Sequence, residues 1–180
     1  MGHSRAYPVF RSVDADEAYA RGKELCGGLE VVEGEMWVQA ELGTPERVWS
    51  VAQVVPGIWL ADADGERYDP WGERRAVARF PVSALEERAH ADVELPFLRA
   101  VGDDPAAMGW GGRWSGPYGA RQYDGVQVSF HSDDVEPAAE RPAATHTVFL
   151  HVDKRCPPER VRELAVLAGC ELLGEARIGW

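Results

Sequence analysis

The feature that most restricts the fold of this chain is a strand pattern followed directly by a helix pattern, which occurs near each end of the sequence. At the N-terminal end, residues 8–13 are typical of a short strand. A capping box follows, formed by Asp14 and by Glu17 three residues later. In a capping box, each side chain accepts a hydrogen bond from the backbone N–H of the other residue. We predict a helix over 14–26, because two glycines at 27–28 supply the left-handed stop that ends many helices.

The C-terminal end has the same two patterns in the same order. Thr147 to Asp153 alternates between polar and apolar residues, as a strand with one buried face does. Pro157-Pro158 then predicts the start of a helix over 158–168. Proline is tolerated in the first helical turn, because the backbone N–H that it lacks would have no hydrogen-bond partner in the helix. Apolar residues at i, i+3, i+4 and i+7 give this helix one apolar face, and Gly169 ends it.

These two units predict an α+β fold, with a mainly antiparallel sheet and the two principal helices, 14–26 and 158–168, on one of its faces. Val9 to Asp14 also resembles Val148 to Asp153 in sequence, so the two ends are either a structural repeat or a chance similarity. If they are a repeat, the closest topology is a ferredoxin-like arrangement of strand–helix–strand units at both ends, with a long insertion between them.

The residues between the two ends carry shorter patterns. Residues 29–42 and 47–55 are typical of strands, 75–80 alternate as a further strand, and a second capping box predicts a short helix over 84–90. Three tryptophans in strand patterns are expected to pack in the core or on the sheet, namely Trp37, Trp49 and Trp59.

The length of the chain and its hydrophobic content of 45% suit one domain over 1–180. Two irregular segments are expected within it. The segment 102–124 is predicted as a loop rich in glycine and aromatic residues, and 135–144 is predicted as an Ala/Pro/Glu linker between two strands.

The charge of the chain excludes some partners and favours others. It has 30 acidic and 19 basic residues, which leaves a net charge of −11. Nucleic-acid binding depends on basic residues that neutralise phosphates, and here the arginines are scattered along the chain, so neither nucleic acid nor an anionic membrane is an expected partner. The acidity favours a basic protein partner, or it serves solubility alone.

Targeting, metal and cofactor signals are absent from the sequence. No segment approaches the roughly 18 consecutive apolar residues of a membrane helix, and the first residues lack a secretory apolar stretch, so we expect a cytoplasmic protein. The near absence of lysine suggests a GC-rich bacterial genome. The three cysteines, Cys26, Cys156 and Cys170, form neither a zinc motif nor a disulfide framework, and no phosphate-binding glycine loop occurs. We therefore predict no metal and no cofactor.

Two strand patterns, 126–132 and 147–153, carry the candidate catalytic residues. His131 lies on the polar face of the first strand, and His151 and Asp153 lie on the polar face of the second. If the strands pair, these three side chains can gather near one end of the sheet as an acid/base pair or a metal site. The alternative is a solvated sheet face with incidental histidines, since the spacing matches no dedicated ligand motif.

The segment 102–124 carries the candidate residues for binding a partner or a ligand. Its glycines permit unusual backbone conformations, and Trp, Tyr and Arg are enriched at the anchor positions of protein interfaces. These side chains either grip another molecule or cap the sheet as part of an ordered loop. The candidates are Trp110, Arg113, Trp114, Tyr118, Arg121 and Tyr123.

Two functions are compatible with these features. In the first, the chain is an acidic bacterial binding or regulatory protein, with the role of an immunity protein or an inhibitor, that engages a basic partner through the aromatic segment. In the second, it is a small enzyme that uses His131, His151 and Asp153, while Arg113 or Arg121 orients an anionic substrate. The sequence leaves open whether the chain is an enzyme, and it leaves its oligomeric state open too.

Overall fold

The computed structural model of the chain describes residues 4–72, 79–114 and 123–179. In these ranges one antiparallel sheet is accompanied by four α-helices, so the predicted α+β class with a mainly antiparallel sheet is confirmed. Within the same ranges, no helix combines the length and the hydropathy that crossing a membrane requires.

In chain order the elements are β1 (Ser4–Ser12), α1 (Ala15–Cys26), β2 (Leu29–Leu42), α2 (Pro45–Val54), β3 (Trp59–Ala61), β4 (Val82–Glu86), α3 (Glu94–Val101), β5 (Ala106–Trp114), β6 (Asp124–Phe130), β7 (His146–Asp153), α4 (Pro158–Leu167) and β8 (Arg177–Ile178).

The eight described strands follow the order β3-β4-β2-β5-β6-β7-β1-β8 across the sheet, and neighbouring strands are antiparallel. The strands that precede the two principal helices, β1 and β7, lie side by side, with Ser4 opposite Asp153 and Ser12 opposite His146. The ferredoxin-like arrangement is not confirmed. That arrangement would place β2 next to β7, whereas β5 and β6 lie between these two strands.

Helices α1 and α4 lie on the same face of the sheet. Ala18 of α1 and Val161 of α4 belong to one core cluster with the inward side chains of the central strands. Arg21 of α1 also donates hydrogen bonds of 2.9 and 3.2 Å to two backbone carbonyls just after α4. Val48 of α2 and Phe97 of α3 join the same cluster, so the four described α-helices cover a single face.

This face carries the apolar side chains of the central strands. Alternate residues of β5, β6 and β7 point towards the helices and are almost fully buried, because successive side chains of a strand point to opposite faces. Burial of a side chain of this size contributes about 1.5–3 kcal/mol. The layer between sheet and helices is therefore the main source of stability, and its central members are Met108, Trp110, Val126, Val128, Phe130, Val148 and Leu150.

The two principal helices begin and end close to their predicted limits, because local interactions define them. Asp14 caps α1, and its Oδ1 accepts hydrogen bonds from the backbone N–H groups of Asp16 and Glu17 over 2.9 and 3.2 Å. Helix α4 begins at Pro158 and has no side-chain cap. In both cases the cap or the proline acts within the first turn and does not depend on the rest of the fold.

Two predicted elements in the first half of the chain are wrong. The strand predicted over 47–55 is helix α2, which is capped by Thr44, whose Oγ1 accepts a hydrogen bond from the N–H of Arg47 over 3.3 Å. The short helix predicted over 84–90 is wrong as well, because its first residues belong to strand β4. The Ser83 hydroxyl donates a hydrogen bond to Glu41 of β2 and does not cap a helix. Of the strand predicted over 75–80, residues 75–78 lie outside the described residues.

The predicted loop over 102–124 is also wrong for most of its described length. Ala106–Trp114 form β5, a central strand that pairs with β2 on one side and β6 on the other. Residues 115–122 lie outside the described residues. In contrast, 135–144 contain neither helix nor strand and connect β6 to β7, as the composition of that segment predicts.

The buried carboxylate of Glu94 connects helices α1 and α3 with strand β5. Glu94 is only 4% exposed, and it accepts hydrogen bonds from the hydroxyl of Tyr19 over 2.5 Å and from Nε1 of Trp110 over 3.0 Å. The ammonium group of Lys23 lies 3.0 Å from the same carboxylate and 5.0 Å from the centre of the Trp110 ring. Burial and the bond to Glu94 raise the pKa of Tyr19 well above its ordinary value, so its hydroxyl stays a donor.

We predict that Glu94→Gln lowers the free energy of unfolding by about 2 kcal/mol, because one amide oxygen cannot accept the hydrogen bonds that the two carboxylate oxygens accept. The ion pair to Lys23 contributes little to this loss, because the ammonium group of Lys23 is exposed. Urea unfolding monitored by circular dichroism measures the change as a lower midpoint at an unchanged slope. Glu175→Gln, at an exposed position, is the matched control and should leave the midpoint unchanged; equal midpoints for both variants would contradict the role of Glu94.

Candidate functional site

The face of the sheet opposite the helices, here called the open face, is only partly covered. Its residues are the other members of the alternation, and one row of them runs across neighbouring strands: Trp37 of β2, Gly109 of β5, Gln127 of β6 and Phe149 of β7. The segment 131–144 covers one side of this face, where Val135 packs against Phe149. The remaining part forms a groove with a volume of about 480 Å³.

Two glycines of β5 lie beneath this open-face groove. Gly109 and Gly111 of β5 present no side chain to it, and two side chains of β2 lie across these positions instead. A β-carbon at Gly109 would overlap the indole of Trp37, and one at Gly111 would lie 2.6 Å from Oε2 of Glu35. The absence of side chains on β5 is therefore what allows Glu35 and Trp37 to lie down on the sheet.

The lining of the groove combines aromatic, apolar and amide groups with charged groups at its rim. Trp37 and Tyr123 are half-buried, and Leu85, Gln127 and Val135 complete the inner surface. Among the described residues, the charged members of the lining are all exposed and three of the four are acidic: they are Glu35, Glu87, Glu136 and Arg88.

A further carboxylate extends this negative charge along β2. Glu41 lies on the open face, in register with Ser83, whose hydroxyl donates a hydrogen bond of 2.7 Å to it. Burial raises the pKa of Glu41, and the nearby carboxylate of Glu140 raises it further, although the bond from Ser83 acts in the opposite direction. The two neighbouring carboxylates, Glu41 and Glu140, therefore favour a cation over an anion in their vicinity.

A cavity of similar volume, about 500 Å³, lies beside Tyr68 and Trp71 near β3. Its charged lining residues are Arg67 and Asp69, which have opposite signs. The charges of its described lining residues therefore cancel, and we take the open-face groove as the candidate site.

His151, a predicted catalytic residue, lies on the same face beneath the C-terminal residues. Its ring is fully buried, with Nδ1 3.0 Å from the hydroxyl of Ser4 and Nε2 3.0 Å from Oε1 of Gln127. The Gln127 amide donates from Nε2 to the carbonyl of Val135 over 2.6 Å, which identifies Oε1 as the acceptor that faces His151. The imidazole is therefore protonated on Nε2 and accepts the hydroxyl proton of Ser4 at Nδ1.

This environment makes His151 a structural residue. Burial lowers the pKa of His151 to about 3, because the charged imidazolium would lose its hydration. A β-carbon at Gly179 would lie 2.6 Å from Nδ1 of His151, so the C-terminal backbone closes directly over the ring. A neutral, enclosed imidazole that already bonds to Ser4 and Gln127 does not suit proton exchange with a substrate.

The other two predicted catalytic residues have contacts of their own. Asp153 is buried and accepts hydrogen bonds of 2.8 and 2.9 Å from the guanidinium of Arg155. His131 follows β6 and contacts His146 at the opposite end of β7, with ring centres 4.5 Å apart, and is separated from His151 by about 17 Å of strand. The prediction that the three gather at one end of the sheet is wrong. His151 and Asp153 share one end of β7, whereas antiparallel pairing with β6 places His131 at the other end.

His131 and His146 form a separate structural contact. The backbone N–H of His131 donates to Nδ1 of His146 over 3.0 Å, and His131 has a positive φ of 49°, an unusual conformation for a residue with a β-carbon. Burial and the neighbouring His131 ring lower the pKa of His146, which keeps Nδ1 available as an acceptor. This contact holds the start of the segment that covers the open face.

The predicted binding residues of the segment 102–124 have different positions. Trp110 and Trp114 point into the core, where Nε1 of Trp114 donates to the carbonyl of His151 over 2.9 Å, so the prediction that they anchor a partner is wrong. Arg113 is exposed on β5, and Tyr123 lines the groove. Tyr118 and Arg121 lie outside the described residues.

Sequence reasoning missed the residues of β2 that form the groove. Glu35, Trp37, Gln39 and Glu41 alternate with buried residues, which is the signal of a strand with one solvent-facing side. This alternation shows that the four residues share one face of the sheet. It does not show whether that face is exposed, because a strand whose tryptophan is buried has the same alternation.

Within the described ranges, no group of three or more His, Cys, Asp or Glu residues is arranged to hold a metal ion. Comparisons of the chain with protein-family models, with curated proteins and with solved structures found no match. The function is therefore argued from the groove alone.

We predict that His151 stays neutral from about pH 7 to about pH 5, whereas a histidine in an unfolded peptide titrates near pH 6.5. The ¹⁵N chemical shifts of its ring nitrogens should show a proton on Nε2 throughout this range. Because the unfolded chain takes up this proton and the native chain does not, the stability that His151 contributes is complete above about pH 6.5 and is lost as the pH falls towards about 3. A midpoint near pH 6 for these resonances would contradict the enclosed position of the ring.

Proposed function

We propose that the protein binds a basic protein partner through the open-face groove. The observation that supports this proposal is the composition of the described lining: three exposed carboxylates, Glu35, Glu87 and Glu136, lie beside a half-buried aromatic surface, together with one basic residue, Arg88. The net charge of the whole chain, −11, has the same sign as the rim. A positively charged surface is therefore attracted to the molecule from a distance and to the groove at contact.

The two parts of the groove have different effects on binding. Exposed charges contribute little affinity singly, but together they raise the association rate and orient the partner. Trp37, Leu85 and Val135 offer apolar and aromatic area that is desolvated on contact, which is the usual source of affinity at the centre of an interface. A second copy of this chain is a poor occupant, because it would bring the same excess of negative charge.

A protein that covers a basic surface in this way acts as an immunity-like or inhibitor-like regulator, since basic surfaces of enzymes commonly face anionic substrates. We keep the expectation that it meets its partner in a bacterial cytoplasm. The alternative, a small enzyme with His131, His151 and Asp153 as proton-transfer residues, has weaker support, because His131 lies at the other end of β7, His151 is enclosed and Asp153 is bonded to Arg155.

We predict that the double variant Glu87→Lys/Glu136→Lys binds a labelled peptide of alternating arginine and glycine about tenfold more weakly than the unchanged protein. Two reversed rim charges are worth about 1.4 kcal/mol, which corresponds to a tenfold change in Kd. Fluorescence anisotropy of the peptide at low ionic strength measures the change.

The matched control for this experiment is Glu159→Lys/Glu171→Lys, which changes the net charge by the same amount at exposed positions in and after α4. The affinity of this control variant for the peptide should stay within about twofold of that of the unchanged protein, since screening by salt limits the effect of distant charges. Equal losses in both double variants would mean that the peptide follows net charge alone, and the proposal would then be wrong.

Arg88 should oppose binding, because it is a basic residue among the described lining residues of the groove. We predict that Arg88→Ala strengthens the affinity for the same peptide by about two- to fivefold, a gain typical of removing one exposed like charge. Arg99→Ala, at an exposed position in the last turn of α3, is the control and should change the affinity less. Weaker binding by Arg88→Ala would contradict a groove that selects cations.

A further inference from the structure

We infer that Arg177, a basic residue of the chain itself, occupies a cation site beside the open-face groove, and that a basic partner displaces it from Asp134 and Phe149. This inference rests on the proposed function, because it describes how the chain limits the access of a partner to that groove. It concerns an internal competitor rather than the charge of the rim, so it has a test of its own.

A second cavity, with a volume of about 390 Å³, adjoins the groove. Glu136 lines both spaces, and Arg177 of β8 lines the second. Arg177 lies opposite Ala6 of β1, which packs with Val135 and Phe149 on the open face. The position of the Arg177 side chain is therefore continuous with the groove.

The guanidinium group of Arg177 has the two contacts that a bound cation requires. Its Nη1 lies 2.9 Å from Oδ1 of Asp134, and its Cζ lies over the Phe149 ring, 5.9 Å from the ring centre. A cation within about 6 Å of an aromatic face is attracted to it, and a carboxylate at hydrogen-bond distance adds an ion pair. Arg177 therefore fills a site with the same chemistry as the groove, an aromatic surface beside a carboxylate.

Asp134 is charged in this arrangement. Burial raises the pKa of Asp134, but the side-chain hydrogen bond from Arg177 and the backbone hydrogen bond from Val135 lower it. The charges of Arg177 and Arg141 add to this effect, so the pKa of Asp134 lies below its ordinary value. Arg141 is the more distant base, with Nη1 3.7 Å from Oδ2 of Asp134. The closest cation thus comes from β8, a separate segment of the chain.

The contacts of Arg177 are weak enough for a partner to replace them. The side chains of Arg177 and Asp134 are 35% and 40% exposed, and an ion pair that water reaches contributes little. Strand β8 consists of two residues at the edge of the sheet, paired with Arg5 and Ala6 of β1. Short edge elements belong to the least stable parts of a fold. The guanidinium can therefore leave Phe149 while the sheet stays intact.

This arrangement makes Arg177 an autoinhibitory contact. A site that is available in only a fraction of the molecules has its apparent affinity reduced by that fraction. Arg177 therefore lowers the affinity of the site for every basic ligand. A partner with several basic residues overcomes this competition, because it also meets the three rim carboxylates, Glu35, Glu87 and Glu136.

The experiment removes the internal competitor. We expect Arg177→Gln to bind the labelled peptide of alternating arginine and glycine about three- to fivefold more tightly than the unchanged protein, because Asp134 and Phe149 become available. Fluorescence anisotropy at low ionic strength measures the change. Damage to the fold would weaken binding, so it does not imitate the expected gain.

The matched control is Arg162→Gln, which removes the same charge at an exposed position in α4, on the helical face. Its affinity for the peptide should stay within about 1.5-fold of that of the unchanged protein, since screening limits the effect of a distant charge. Equal gains in Arg177→Gln and Arg162→Gln would mean that the peptide responds to net charge alone, and the inference would then be wrong.

A second set of variants removes the carboxylate for which the two cations compete. The double variant Asp134→Asn/Arg177→Gln should bind the peptide no more tightly than Asp134→Asn alone, because without the carboxylate neither cation is held there. A gain from Arg177→Gln that persists in the absence of the Asp134 carboxylate would contradict the competition.

The displacement can also be observed in the ¹⁵N–¹H resonance of Nε in Arg177. As the peptide saturates the unchanged protein, this resonance should move towards its position in Asp134→Asn, where the ion pair to Asp134 is broken. If the peptide binds, and Glu87→Lys/Glu136→Lys weakens it while the Arg177 resonance stays fixed, the proposed function stands and this inference is wrong. If peptide binding depends on none of the groove residues, both proposals are wrong.

Discussion

The alternation of side chains along the central strands is the constraint on which the rest of this structure depends. Strands β5, β6 and β7 direct residues such as Met108 and Val128 to the helices, where their burial holds the four described α-helices in place. The intervening residues, such as Gly109, Gly111 and Gln127, lie on the opposite face. Because these residues are small or polar, no second layer of helices packs there in the described ranges, and the space above the two glycines becomes the groove.

Burial also explains why the most conspicuous polar residues are structural. Glu94 and His151 both lie where water cannot solvate them, and both have hydrogen-bond partners at their polar atoms, which a buried polar group needs. The same burial that keeps His151 neutral removes it from contact with a substrate. The rim carboxylates differ in this respect, since they stay charged and exposed. In this molecule, exposure rather than residue type separates the groups that can meet a partner from those that support the fold.

How much of the fold can be predicted depends on the range of the interactions involved. Helix α1 and helix α4 follow from Asp14 and Pro158, which act within one turn. Helix α2 has an equally local signal at Thr44 and Pro45, which the β-branched residues after it obscure. Strands β4 and β5 are different: Ser83 is compatible with a helix cap and the glycines of β5 with a loop, and only pairing with β2 places both segments in the sheet.

The candidate site shows the same division. By itself, the sequence determined the α+β class, the two terminal helices and the excess of negative charge, because composition and local hydrogen bonds are properties of short segments. Only the tertiary structure decided that His131 and His151 lie at opposite ends of β7, that Trp110 is core, and that Trp37 lies flat over Gly109. These facts depend on strand order and register, which arise from pairing between distant residues and are not encoded in any one segment.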